Sequence, residues 1–359
     1  MGFANANGHT GRSLRFFKAW QGVQFLKILI IKHSSLGDVL HSTGHIRTIR
    51  ETFPDSTITL LTAPPCHELF TYDKNVDQVL VFEKDRAKAE WKRNPGWVLR
   101  HFFTLLKEVR RTQYDLAFDL QGRLKSVFFL YCAKASRKYV KGRWLFLKRF
   151  RKPEIHAIKE MDQVLRLAGI EVRNSDMEIF TSRWEEMTIE GLLKRINPSN
   201  KKIFIISPFT RWETKNWGIE KYKAVIDSLN MDLLIILTGL ADKKKEIDEL
   251  AAQVNGRSVV NLAGELKLLE LAELMKKAHL LLTGDSFPMH LASALHIPLI
   301  ALFGPTDEER VGPVGKHCSV LRAGDICRRC YQRDRCKQNC INYIQTETVL
   351  REIHHWIGI

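Results

Sequence analysis

Residues 281–310 read LLTGDSFPMHLASALHIPLIALFGPTDEER. An apolar run ends in Gly284, Asp285 and Ser286. A short helical stretch follows, roughly Met289 to Leu295, and a second apolar run, Leu299 to Phe303, ends in Gly304-Pro305-Thr306-Asp307. Short apolar runs bounded by glycine and proline read as buried strands. Two such strands joined by a helix lie parallel, with a right-handed crossover. This stretch therefore commits the chain to an α/β sheet with two polar turns and a helix N-terminus at one edge. Backbone N–H groups and the helix dipole make such an edge a seat for an anion, and a diphosphate fits it.

The same rhythm runs through the chain. Strands are predicted at Lys27–Ile31, Thr57–Thr62, Val79–Phe82 and Leu116–Leu120, with helices over Asp38–Thr52 and Val98–Arg111. It restarts with strands Ile203–Ser207 and Leu233–Thr238 and helices Ile219–Leu229, Lys243–Val254 and Leu268–Lys277. The polar run from Asn197 to Lys202 reads as a junction. The fold class expected is α/β: two Rossmann-like domains whose parallel sheets face a central cleft. The first domain spans residues 1–196 and the second 197–345. A final helix within 346–359, apolar along Val349, Leu350, Ile353 and Trp356, is expected to pack back on the first. No G-x-G-x-x-G follows a predicted strand and no Walker lysine motif is present, which argues against hydride transfer and P-loop chemistry.

A formal charge of +16 points to an acidic partner: nucleic acid, an anionic membrane face or a phosphorylated substrate. No run approaches the roughly 20 apolar residues that span a bilayer. Residues 1–25 read as a basic lead-in without a secretory pattern. The seven cysteines are accordingly expected as reduced thiols in cytoplasm.

Several segments carry chemistry. Asp38 follows the first strand where the next helix begins; it reads either as an N-cap or as a general base for a hydroxyl within reach. The loop Ser207–Trp217 offers Thr210, Arg211 and Lys215 to a phosphate, or is a solvated basic loop. His290, five residues after Asp285, is expected at a helix start, where a bond to phosphate or to the loop is open to it. Basic and aromatic residues alternate between Arg137 and Lys152, which suits a solvated face, RNA or anionic lipid. Arg123 and Lys125 extend that charge. Cys327, Cys330, Cys336 and Cys340 are close enough in sequence to bind zinc, or are thiols packed under a loop.

Taken in order, ILIIKHSSLGDVLHS, YDLAFDLQGRLKS, SPFTRWETKNW, NLAGELKLLELAEL and TGDSFPMHLASALHIPLIALFGPTDEERVGPVG resemble the bacterial lipopolysaccharide heptosyltransferases of glycosyltransferase family 9. The resemblance implies a GT-B architecture and an inverting, metal-independent transfer of heptose from an ADP-sugar to the inner core of lipopolysaccharide, with no cofactor. It implies Asp38 as catalytic base. It implies donor contacts from Thr210, Lys215, Leu266, Asp285, Ser286 and His290; Arg211, Phe287 and Met289 are expected beside them, and Gln121, Arg123, Lys125 and Arg143 are expected to meet the acceptor. The partners implied are an ADP-sugar, a phosphorylated lipid A-core acceptor and an anionic membrane surface, with no nucleic acid expected. The place implied is the cytoplasmic face of the inner membrane. Two positions depart from the family: Phe287 stands where it has glycine, and the acidic ribose contact is either Asp242 or Glu246. Rival readings are a transferase for another nucleotide sugar or surface glycan, a basic nucleic-acid-binding protein, and a non-catalytic partner of a transferase.

Overall fold

A computed structural model describes residues 25–142, 148–149, 155–254, 258–324, 329–334, 336 and 338–358. Most of the basic lead-in, Arg143, Cys327 and much of the basic stretch up to Lys152 lie outside the described residues. The chain forms two compact units, one ending at Glu178 and the other beginning at Ile179.

The first unit holds six parallel strands: β1 (Lys27–Ile31), β2 (Thr57–Thr62), β3 (Gln78–Val81), β4 (Gln113–Asp119), β5 (Lys134–Val140) and β6 (Lys148–Arg149). Their order is β3-β2-β1-β4-β5-β6. Past its first residue β1 is wholly buried, because helices cover both faces of a parallel sheet. The core gathers Leu29, Ile31, Leu61, Val109, Ala117, Val127 and Leu130.

The single helix expected over Asp38–Thr52 is two, Leu36–Leu40 and Thr43–Thr52. Two hydroxyls sit at the break. Ser42 Oγ donates to the Val39 carbonyl at 2.6 Å and Thr43 Oγ1 to that of Leu40 at 2.8 Å. Side chains that engage the preceding turn compete with helix continuation. Past the break, His45 Nε2 meets Asp162 Oδ1 at 2.8 Å, and this buried contact ties helix Thr43–Thr52 to helix Ala157–Leu167.

The second unit repeats the plan with β7 (Lys202–Ser207), β8 (Leu233–Leu237), β9 (Ser258–Asn261), β10 (Leu280–Gly284), β11 (Leu299–Phe303) and β12 (Cys318–Arg322). All are parallel, in the order β12-β11-β10-β7-β8-β9. Two points differ from the domain limits read in the sequence. The helix Arg183–Ile196 packs against helix Leu268–Lys276, so the second unit starts ahead of residue 197. Ser182, its N-cap, and Glu185 bond reciprocally at this start: the Ser182 N–H donates to Glu185 Oε2 at 2.9 Å.

The final helix, Thr346–Ile357, also differs. It packs into the second unit and not onto the first. Val349, Ile353 and Ile357 join Trp217, Tyr222 and Ile341 in one core, and Lys202 Nζ donates to the Ile357 carbonyl at 2.9 Å. The apolar stripe is legible in the sequence; its partner is not, because periodicity marks which side of a helix is apolar and not which apolar surface covers it. Ile353→Ala is expected to destabilise the second unit by about 2–5 kcal/mol, the usual cost of emptying a packed aliphatic site. Hydrogen exchange should then show lost protection in β10 and β11, with β1 and β4 unchanged.

Candidate active site

In each sheet the strand order reverses once, between β1 and β4 and between β7 and β10. Ligands of open α/β sheets bind outside the carboxyl ends of the strands at such a point. The polar motifs of the sequence fall at these two places.

In the first unit Lys32 continues β1, its N–H donating to the Leu61 carbonyl at 3.0 Å. Its side chain is buried, with Nζ 3.4 Å from the Leu120 carbonyl at the end of β4. Burial lowers its pKa to about 8, against the pull of Asp38. Asp38 is not the N-cap of its helix. Ser35 is, and Asp38 Oδ2 accepts the Ser35 N–H at 3.1 Å and the Ser35 hydroxyl at 2.7 Å. Burial opposes charge on Asp38, but Lys32, both Ser35 bonds and His41 outweigh it and hold the carboxyl well below the usual range. Asp38 is therefore an anion at neutral pH.

Beside it, Asp119 Oδ1 accepts the N–H groups of Gln121 at 2.8 Å and Gly122 at 2.9 Å, and its Oδ2 accepts the Ser126 hydroxyl at 2.8 Å. Gly122 has φ +64°, and a Cβ there would lie 2.2 Å from the Lys141 carbonyl oxygen, so this turn requires glycine. Burial nevertheless raises the Asp119 pKa to about 6. His33 lies edge-on to Phe82 and Phe129 and is pushed down to about 3 by burial and then by Lys84, Lys125 and Lys32. Gln121 Oε1 accepts the Ser34 N–H at 3.3 Å, which ties the β4 loop to the Asp38 loop. Arg123 and Lys125 stand exposed at the start of helix Leu124–Cys132.

In the second unit three loops meet on one carboxylate. Lys215 Nζ, from the loop after β7, lies 2.6 Å from Asp285 Oδ2 after β10. Thr306 Oγ1, from the turn after β11, donates to the same oxygen at 2.6 Å. Both charges of the pair are largely buried. The Lys215 ammonium also sits 4.2 Å over the Trp212 ring, and the Arg333 guanidinium lies 4.7 Å over that ring. A Cβ on Gly284 would fall 2.9 Å from the Lys215 carbonyl and 3.0 Å from Thr210 Cγ2. Glycine there lets the β7 loop close on β10.

The other expected donor residues take mixed places. Thr210 shapes its own loop: its N–H donates to Asn216 Oδ1 at 2.8 Å and its hydroxyl to the Trp212 carbonyl at 2.9 Å. Arg211 is exposed and Leu266 half-buried. Ser286 caps helix Phe287–Ala294. Phe287 opens that helix half-buried and without a positive φ, so its backbone does not demand the family's glycine. Met289 is wholly buried, and its N–H is given to the Ser286 carbonyl at 3.2 Å. His290 is the fourth residue of the helix, not its start, and is buried. Of the two ribose candidates, Glu246 is paired with Lys243 at 2.6 Å.

The cysteine-rich segment lies against these loops. Tyr331 N–H donates to the Pro305 carbonyl at 2.9 Å and Thr214 Oγ1 to that of Gln332 at 2.6 Å. Arg329 pairs with Asp307, Glu308 and Glu309. Cys330 is exposed, Cys336 half-buried and Cys340 buried. Among the described residues no three potential ligands cluster as a metal site. Lys32, Trp212, Thr306 and Arg333 were not singled out in the sequence. Thr306 had a signal, a polar turn after a buried strand. Arg333 had none, since no periodicity brings it to Trp212.

Residues 102–341 match the profile of glycosyltransferase family 9 (heptosyltransferase). The chain is 27% identical over 306 residues to lipopolysaccharide heptosyltransferase 3 of Escherichia coli, covering 80% of this chain and 86% of that one. Its fold is similar to the family 9 glycosyltransferase from Veillonella parvula, with TM-score 0.81, 18% identity and coverage of 93% and 98%. It is also similar to the E. coli heptosyltransferase WaaC with ADP-2-deoxy-2-fluoro heptose, with TM-score 0.68, 19% identity and coverage of 92% and 99%. The chain belongs to glycosyltransferase family 9, the heptosyltransferases. It is a glycosyltransferase with the two parallel-sheet domains of the GT-B heptosyltransferases.

The first unit should also report its buried acid. Folded, Asp119 keeps its proton to about pH 6; its ordinary value is 3.8. Between those values the folded state binds more protons, so stability falls as pH rises across that window. The loss is on the order of 3 kcal/mol. Urea unfolding from pH 3.5 to 7 should show this slope in the parent and not in Asp119→Asn. An equal slope in both would assign it to another group.

Proposed function

We propose that this glycosyltransferase moves a heptose from an ADP-sugar to the inner core of lipopolysaccharide, with inversion and without a metal. The observation that carries the reading is the knot of Lys215, Asp285 and Thr306 at a strand-order reversal, with Trp212 and Arg333 beside it. A diphosphate leaving group gains negative charge as the glycosidic bond breaks. Fixed cations in a partly buried place stabilise that charge without reorganising. Lys215, shared between Asp285 and the Trp212 face, supplies it, and Arg333 adds a second cation. Near the helix start Pro288 has no N–H and that of Met289 is in use, so Ser286 and Phe287 supply the amides.

Asp38 is assigned to the acceptor. The attacking hydroxyl approaches the anomeric carbon from the face opposite the diphosphate. Its oxygen bonds to that carbon as the bond to the diphosphate breaks, and its proton passes to Asp38. A carboxylate held well below the usual range is a weak base. It therefore takes the proton as the new bond forms, when the hydroxyl becomes acidic. Gln121, Arg123 and Lys125, with Arg143, are assigned to a phosphorylated lipid acceptor at the cytoplasmic face of the inner membrane. Relatives named as lipopolysaccharide heptosyltransferases, and WaaC with an ADP-heptose analogue, support the choice of sugar and nucleotide.

Asp38→Ala is expected to lower kcat about 10²–10⁴-fold, the range for losing a positioned base, with ADP binding retained. Parent-level turnover in a folded variant would remove the base. Because a ligand that prefers the native state raises the melting temperature, ADP should stabilise the chain more than UDP, GDP or CDP. Equal or absent shifts would overturn the donor assignment.

A further inference from the structure

Helices Pro95–Arg111 and Leu124–Cys132 of the first unit expose an apolar face to solvent. Leu99, Phe103, Leu124 and Phe128 are 46%, 60%, 75% and 43% exposed. The spacing explains the alignment: Leu99 and Phe103 are four apart on one helix, as are Leu124 and Phe128 on the other. The helices touch, and the exposed rings share one root. Phe102 lies 5.8 Å from Phe103 and 5.6 Å from Phe128, centroid to centroid, and 5.9 Å from the buried Phe129. Phe103 and Phe128 are therefore joined through Phe102 and anchored to the core.

Its rim is basic. The longer helix carries Arg100, Lys107, Arg110 and Arg111 against Glu108, and the shorter carries Lys125 and no acid. Phe103, Leu106, Lys107, Arg110 and Arg111 line a groove along this face. Among the described residues no helix is long and apolar enough to cross a membrane.

We propose that this face docks the protein on an anionic lipid bilayer, with Leu99, Phe103, Leu124 and Phe128 at headgroup depth and Lys107, Arg110 and Arg111 on lipid phosphates. Apolar residues flanked by cations are what an interfacial surface needs: the first partition into the boundary and the second meet negative headgroups. Nucleic acid fits less well, because Leu124, the most exposed of the four, has no ring on which a base could stack. The inference does not rest on the sugar or nucleotide assigned above.

The test is co-sedimentation of the full-length chain with vesicles of phosphatidylglycerol and phosphatidylethanolamine, beside vesicles of phosphatidylcholine alone. Binding to the anionic vesicles is expected, weakening as salt screens the charges, with little binding to phosphatidylcholine. Phe103→Ser/Phe128→Ser and, separately, Lys107→Glu/Arg110→Glu should each weaken it at least tenfold. Both variants should keep the parent's melting temperature and ADP response, which separates lost docking from lost folding or a wrong donor assignment. Undiminished vesicle binding in both variants would overturn the proposal. So would equal binding of the parent to both vesicles. Binding of single-stranded RNA that the variants lose, with vesicle binding intact, would reassign the face to nucleic acid.

Discussion

A parallel sheet buried on both faces leaves its strand ends as the natural place for chemistry. That constraint organises both halves of this chain. Past their first residues β1 and β7 are buried throughout, and β8, β10 and β11 are buried along their whole length. Polar groups therefore collect where the strand order reverses. Lys32, Asp38 and Asp119 gather at one such place and Lys215, Asp285 and Thr306 at the other.

The two places differ in electrostatic character. In the first unit a buried lysine holds a half-buried carboxylate ionised while a second carboxyl nearby is kept largely protonated at mildly acid pH. In the second unit a lysine is shared by one carboxylate and an indole face. A partly buried pair of this kind contributes less to stability than to fixing geometry, since desolvation offsets much of the attraction. Its effect is to hold the ammonium in one orientation.

The segment from Arg329 to Gln332 adds a further constraint. It bonds to the turn after β11 and to the loop after β7, and Arg333 follows it over Trp212. The Phe103–Phe128 ridge is likewise fixed from beneath, by Phe102 and Phe129. In both cases a side chain is oriented by the neighbours beneath or beside it.

The sequence by itself determined eight strands, β1 to β4, β7, β8, β10 and β11, and the polar turns after them; β5, β6, β9 and β12 carry no long apolar run and are not legible from it. Lys27–Ile31, Thr57–Thr62 and Leu299–Phe303 were legible to the residue, because an apolar run between breakers has one use in an α/β chain. It also placed Asp38, Lys215 and Asp285 at strand ends. The break at Ser42 is local, where two hydroxyls bond the preceding turn, and periodicity does not report it. The docking of the last helix on the second unit and the meeting of Lys215 and Thr306 on Asp285 were decided only by tertiary structure. Each of these two depends on a partner distant in sequence. Periodicity reports which face of an element is apolar, and only the folded chain supplies the surface that covers it.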